Sequence, residues 1–235
     1  MATIYLIPNV LIVDASLNTI TQQVVEIIQT LDVYFVENTK NARRYLKRLG
    51  ILKPIDELQF FDLNIQTQEE VIRQYAKNIS KNNWNVGIIS ESGCPAIADP
   101  GSILVRFAHE FKITIKPLVG PNSILLALMA SGMNGQSFAF NGYLPIDKLK
   151  RAVELKHFEE KAIQTGQSQV FIETPYRNNS LLRDCLLNLK DKTRLCVALN
   201  LTMPNEWIAS KSVNDWKNSQ EVDLHKKPAI FIIGI

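Results

Sequence analysis

Four segments carry the residue types that can do chemistry. The first is Ser90-Glu-Ser-Gly-Cys-Pro-Ala-Ile-Ala-Asp-Pro-Gly101, which leaves an apolar run and enters a helical pattern. Gly93 lets a backbone come close to a ligand. Pro95 and Pro100 stiffen the loop and reduce the entropy lost when something binds. Asp99-Pro100-Gly101 also reads as a helix start, with Asp99 as cap, so a capped connection without a ligand is an open alternative. The second segment, Leu118-Val-Gly-Pro-Asn-Ser-Ile-Leu, again passes from strand to helix. Its first amides are free for a ligand oxygen, or Asn122 and Ser123 simply cap their own helix. The third, Phe171-Ile-Glu-Thr-Pro-Tyr-Arg177, ends a strand with a carboxylate and a guanidinium. Glu173 and Arg177 either pair with each other or face a cleft. The fourth is Lys40-Asn-Ala-Arg-Arg-Tyr-Leu-Lys-Arg48. Helical spacing puts Lys40, Arg43, Arg44 and Lys47 on an outer face, suited to phosphate contacts or to solvent.

These segments need elements to position them. Apolar β-rich runs (4–7, 33–36, 86–90, 113–117) alternate with helical patterns (20–31, 38–49, 68–82, 102–111) through the first half. Near-continuous apolar strands between helices predict a mostly parallel sheet covered on both faces. In such sheets the loops after the strands line the ligand crevice. Beyond Val119-Gly-Pro the spacing predicts helices at 122–130, 148–161 and 179–189, and strands at 137–141, 169–173, 195–199, 206–209 and 229–234. The last strands are close enough for hairpins, so the second sheet is expected to be mixed. We place the join near Leu118, giving an N-terminal α/β lobe (1–118) and a C-terminal α/β lobe (119–235) with a cofactor cleft between them.

Composition narrows the class. Of the 235 residues, 46% are hydrophobic and 21% charged, enough to bury a core without staples. The net charge of +3 is too small to argue for nucleic acid by itself. Three cysteines (Cys94, Cys185, Cys196) form no C-x-x-C pair, and three histidines are far apart, so no metal site is expected. The N-terminal apolar run has no basic flank and is broken by Pro8 and Asp14. No run reaches the about 18 apolar residues of a membrane span. A cytoplasmic protein with no membrane association is the expectation. Glycine-rich nucleotide loops and the G-x-S-x-G of hydrolases are absent.

Read in order, the segments resemble the tetrapyrrole methylase superfamily, class III methyltransferases that use S-adenosylmethionine. The likeness is strongest to the bacterial branch that methylates a cytidine ribose 2′-oxygen in 16S ribosomal RNA. The loop 90–101 is similar to that branch's S-D-A-G-T-P-x-I-x-D-P-G. Pro117-Leu-Val-Gly-Pro with Ala127-Leu and Ser131-Gly132 matches its next signature. Asn141-Gly-Tyr-Leu-Pro145, Phe171-Ile-Glu-Thr-Pro-Tyr-Arg177, Ala198-Leu-Asn-Leu-Thr-Met203 and Glu37-Asn-Thr-Lys40 follow the remaining ones. Pro8-Asn-Val-Leu-Ile-Val-Asp14 departs from the pattern in lacking a glycine. Asn38 stands for an aspartate and Asn200 for a glutamate.

The resemblance implies that S-adenosylmethionine touches Pro8, Ser92, Gly93, Cys94, Ile97, Asn122, Ser123, Glu173, Asn200, Leu201, Pro228 and Ala229. It also implies a homodimer. By residue type and position, Glu91 and Glu173 are candidates for a base toward a hydroxyl, and Arg177 for a phosphate contact. Lys40, Arg43, Arg44 and Lys47 are candidates for contacts to substrate RNA, with ribosomal RNA or a small ribosomal subunit as the partner. Two alternatives remain: a tetrapyrrole or other small-molecule methylase, and a divergent S-adenosylmethionine-binding protein without transfer.

Overall fold

The computed structural model describes residues 1–235, in two compact units, Met1–Asn122 and Ser123–Ile235. The join expected near Leu118 lies inside the first unit. Residues 118–121 are held there, with the Leu118 amide donating to Leu6 O at 3.1 Å.

The first unit is a five-stranded parallel sheet in the order β3-β2-β4-β1-β5: β1 (Thr3–Ile7), β2 (Val33–Val36), β3 (Gln59–Asp62), β4 (Asn85–Ile89) and β5 (Thr114–Pro117). Its helices are α1 (Gln22–Ile28), α2 (Thr39–Arg48), α3 (Glu69–Lys81) and α4 (Gly101–Glu110). Both faces of the sheet are buried. One packs Ile4, Phe35 and Ile88 against α3 and α4, and the other packs Ile7, Tyr34 and Ile89 against α1 and α2. The register Ile4↔Val86 and Ile4↔Ile115 sets β1 between β4 and β5. The turns after these three strands therefore emerge side by side, as the topology of open parallel sheets requires.

Strand β3 escapes the sequence pattern because it is a half-exposed edge strand of four residues, stabilised by pairing with β2 and by stacking of Phe60 on Tyr34 and Phe61 on Phe35. Helix α1 is shorter than the periodic run 20–31. Extended Thr21 starts it without a side-chain cap, and residues 17–19 form a separate single 3₁₀ turn. Asp99 was expected to cap α4, but Pro100 occupies that position. The Asp99 carboxylate instead accepts from the amides of Ala96 (2.9 Å) and Gly101 (2.8 Å), closing the loop on itself.

The second unit is a five-stranded mixed sheet in the order β6-β7-β10-β8-β9: β6 (Phe138–Tyr143), β7 (Ser168–Ile172), β8 (Arg194–Leu199), β9 (Trp207–Ser212) and β10 (Ala229–Gly234). Only β6 and β7 run parallel, as their connection through a long helix demands; the rest pair antiparallel. Helices α5 (Ser123–Ser131), α6 (Lys148–Thr165), α7 (Asn178–Asn188) and α8 (Val213–Lys217) complete it. Phe171, Phe231, Leu155, Leu181 and Trp216 centre its core. Helix α6 outruns the expected end at 161 until Gly166, at φ +67°, supplies a left-handed stop. Strand β9 extends beyond Ala209 because its polar end, through Ser212, still pairs with Arg194. The single-turn α8 is started by the Ser212 hydroxyl accepting from the Asp215 amide.

Candidate functional site

In the first unit the turns after β1, β4 and β5 are tied to one another. The Asn9 amide donates to Gly93 O (2.8 Å), and the Gly93 amide donates to Val10 O (3.4 Å). Asn9 Nδ2 donates to Ser90 O (2.9 Å), while Asn9 Oδ1 accepts from the Val10 amide (2.8 Å). The Ser92 hydroxyl donates to Leu11 O (2.8 Å). Cys94 Sγ lies 3.5 Å from Pro121 O. Tyr45, buried in α2, donates its hydroxyl to Pro8 O at 2.6 Å.

Two glycines make this approach possible. A side chain on Gly120 would run into the Pro8 ring. Gly93, at φ +65°, has Leu11 Cδ2 and Pro121 O at 3.2 and 3.3 Å from where a Cβ would sit. The turn after β1 needs no glycine of its own. Its left-handed residue is Asp14 (φ +68°), a type that tolerates that conformation, and Asn9 does the lacing. Asn9 was not singled out in the sequence; the signal was a short amide side chain directly after a strand-ending proline.

Pro8, Ser92, Gly93, Cys94 and Ile97 thus belong to one braced edge. Between 94 and 99 the loop holds unusual backbone: Ala96 and Ala98 lie at φ +67° and +59°, outside the region that alanine prefers. Strain of this kind persists where surrounding contacts enforce it, and it concentrates at ligand sites. Asp99 is the enforcer. The amides of Cys94 and Ala98 make no hydrogen bond inside the protein, and the Ile97 side chain is 50% exposed. Free donors on a rigid loop beside an exposed apolar side chain suit a ligand with polar ends and a flat apolar body.

Acidic groups stand next to this edge. Glu37, at the end of β2, accepts from the Glu91 amide (3.2 Å) through Oε1. Burial, and then the charges of Asp99 and Glu91, push its carboxyl above the usual range, against the lowering effect of that amide. Asp99 is pushed up by burial, opposed by the Gly101 and Ala96 amides. Glu91 is exposed, and its Oε2 accepts from Asn41 Nδ2 at 2.6 Å. Asn38 caps α2 by accepting from the Asn41 amide at 3.1 Å, so the amide side chain performs the cap as an aspartate would.

On α2, Lys40, Arg44 and Lys47 are exposed. Arg43 is half-buried and lines the same open groove as Lys40, Arg44 and Lys47. Its guanidinium lies 5.3 Å from the Phe60 ring centroid and 3.7 Å from Asp56. Arg48 donates to Ala15 O at 2.6 Å. The four basic residues grouped by spacing thus line one groove, in which the aromatic edge of β3 holds one arginine nearer the sheet.

In the second unit, Ser123 opens α5, while Asn122 ends the first unit. Asn200, Leu201, Pro228, Ala229 and Glu173 gather at one end of the sheet. Ala229 pairs with Leu199, and Ile230 with Ile172, which brings Glu173 opposite Ala229. The Asn200 amide donates to Pro228 O at 3.1 Å. Asn200 is left-handed (φ +48°), which asparagine tolerates well. Glu173 and Arg177 pair with each other at 2.5 Å, and the Thr174 amide adds a bond at 2.6 Å to the same carboxylate oxygen. Asn178, buried at the start of α7, donates to Lys227 O at 2.7 Å. It was also missed, since nothing in sequence pairs it with a residue 49 positions away.

No group of three or more His, Cys, Asp or Glu residues could hold a metal ion, and no helix is long and apolar enough to cross a membrane.

Comparison with known proteins agrees with this architecture. Curated relatives include "Ribosomal RNA small subunit methyltransferase I" of Haemophilus influenzae, 29% identical over 86% of this chain and 69% of that protein. The protein of the same name from Escherichia coli O157:H7 is 27% identical over 90% of this chain and 70% of its own. Among solved structures, the methyltransferase CobJ superposes with a TM-score of 0.61 at 16% identity, covering 99% of this chain and 92% of its own. A uroporphyrin-III-C-methyltransferase from Thermus thermophilus gives 0.53 at 15% identity, covering 99% and 92%. At those identities the likeness is one of fold. Residues 15–215 match the profile of the tetrapyrrole (corrin/porphyrin) methylases, a family whose methyl donor is S-adenosylmethionine, and the chain belongs to that family.

Proposed function

We propose that this methyltransferase acts on small-subunit ribosomal RNA and methylates the ribose 2′-oxygen of a cytidine. The observation that carries the acceptor is that curated relatives named as small-subunit ribosomal RNA methyltransferases align over most of this chain. A tetrapyrrole acceptor has behind it the breadth of the family and likeness of fold, but not the curated relatives named above.

The residues fit the methyl donor. In the first unit the free amides of Cys94 and Ala98 and the Ile97 side chain would hold its polar and apolar parts, with Pro8, Ser92 and Gly93 fixing the loop. Asn122 in the first unit, and Ser123, Asn200, Leu201, Pro228 and Ala229 in the second, are further candidates for contacts to the donor. When bound, S-adenosylmethionine supplies an electrophilic methyl group. The chain's work is then positioning, because the hydroxyl, methyl and sulfur must be nearly in line.

Glu91 is the better base toward the hydroxyl, since it is exposed, while Glu173 is committed to Arg177. Asn41 steers the Glu91 carboxylate. Arg177 acts by holding Glu173 and the turn that follows it. Lys40, Arg44 and Lys47 meet RNA phosphates. We further propose that the protein works as a homodimer in the cytoplasm.

The experiment is to incubate labelled S-adenosylmethionine with small ribosomal subunits from a strain lacking this protein. Label in the ribose of one cytidine is the expected result. Label in no RNA overturns the reading.

A further inference from the structure

We infer that the tip formed by Tyr176, His225 and Lys226 is a stacking contact for an unpaired base of the RNA acceptor. This rests on the reading of RNA as substrate and adds a recognition surface on the second unit.

Tyr176 is 70% exposed and belongs to no hydrophobic cluster, so packing does not account for its position. The protein nevertheless holds its surroundings in place. The Lys226 amide donates to Pro175 O (3.0 Å), joining the turn after β7 to the turn before β10. Lys226 is left-handed (φ +59°), a conformation uncommon for lysine, and its ammonium lies 5.9 Å from the Tyr176 ring centroid. The exposed His225 ring meets Tyr176 edge-on at 6.0 Å. Asn179 ties the same turns through Asp223 Oδ1 (2.7 Å) and the Leu224 amide (2.7 Å).

The charge around the ring favours a polyanion. Lys226 forms no salt bridge. Arg177 pairs with Glu173, and Lys227 donates to Asp223 O at 2.6 Å. Asp223 is the exposed acid of the group; its carboxylate is already bonded to Asn179 and to the His225 amide (3.0 Å). An exposed aromatic face with a cation beside it is how single-stranded RNA is gripped, the base on the ring and the phosphate on the charge. The two turns also carry Glu173 and Pro228-Ala229, so a base seated here would be close to the part of the second unit proposed to hold the donor.

The test uses the whole protein and two readouts: anisotropy of a fluorescein-labelled single-stranded RNA, and methylation of small subunits from the deletion strain. Tyr176→Ala should weaken single-strand binding roughly 5- to 150-fold, the range set by losing one base–aromatic stack. It should raise KM for subunits far more than it lowers kcat. Tyr176→Phe should bind within about twofold of wild type, since the stack is kept. Lys226→Gln should lower the salt slope of binding by about one. Calorimetric S-adenosylmethionine affinity of Tyr176→Ala should equal wild type, which reports correct folding. Unchanged RNA binding and KM in Tyr176→Ala overturn the inference while leaving the RNA methyltransferase reading intact. A wild-type protein that neither binds nor methylates RNA overturns both. An equal loss for duplex and single-stranded RNA rejects stacking.

Discussion

The Glu173 carboxylate is 1% exposed and is neutralised by Arg177 Nη2 at 2.5 Å, one helical turn away in sequence. Removing the cation alone leaves a buried charge with one amide hydrogen bond. Arg177→Ala should therefore cost about 2–4 kcal/mol, somewhat below the usual cost of breaking a buried pair because the guanidinium is partly exposed. Replacing both, as Glu173→Gln with Arg177→Gln, should cost less than Arg177→Ala alone. Denaturant midpoints of the two variants decide it. A double variant no more stable than Arg177→Ala would contradict the account.

Gly120 and Pro8 meet where the turns after β5 and β1 cross, with no room for a Cβ. Gly120→Ala must push one turn away from the other. We expect a loss of about 1–3 kcal/mol, as for overpacking elsewhere. A drop in S-adenosylmethionine affinity should accompany it, because Pro8 sits on the proposed donor edge. Gly132→Ala makes a useful comparison: Gly132 is also left-handed (φ +71°), but nothing lies within 4 Å of its Cβ position. If both variants bind the donor equally well, the crossing of the turns does not shape the site.

Much of this site was legible in the sequence because strand-to-helix loops in a parallel sheet must emerge at one edge, and 90–101 and 118–123 are such loops. The lacing was not legible. Asn9 reaches Ser90 across 81 residues, and no local pattern marks an asparagine for that task. The seat of Arg43 was not legible for a similar reason. Its helical phase points outward, but β3, itself invisible as a four-residue edge strand, offers Phe60 as a seat. Among the choices left open, the pairing of Glu173 with Arg177 follows from how deeply the carboxylate is buried, which sequence does not reveal.

Glu37 gives the first unit a pH dependence with a definite sign. Burial, with Asp99 and Glu91 adding repulsion, raises its carboxyl above the unfolded value. The folded state then binds the proton more tightly, so this contribution to stability is full below the ordinary carboxylate pKa. It is lost as pH rises through the raised one. Glu37→Gln imitates the protonated form and can still accept from the Glu91 amide. Asp99, also raised by burial, titrates in both proteins, and its repulsion of Glu37, absent from the variant, adds to the difference with the same sign. Denaturant midpoints measured from about pH 4 to pH 8 should show the variant gaining on wild type as pH increases. Parallel curves would mean that Glu37 keeps an ordinary carboxyl.

The exposed cations of α2 can be separated from the half-buried Arg43 by salt. If Lys40, Arg44 and Lys47 each neutralise an RNA phosphate, changing any one to glutamine should lower the slope of log affinity against log salt by about one. The loss should be similar for different RNA sequences, because phosphate contacts carry no base information. Arg43→Gln should lower the slope by less, since its half-buried guanidinium already lies against Phe60 and near Asp56, and should also lower stability slightly by removing the cation–π contact. Lys53→Gln, beyond the end of α2 and paired with Asp32, serves as a charge-matched control. Binding of small-subunit ribosomal RNA across a salt series measures all five. A slope that falls as much for Arg43 or Lys53 as for Lys40, Arg44 and Lys47 would show a diffuse effect of net charge rather than a docking face on α2.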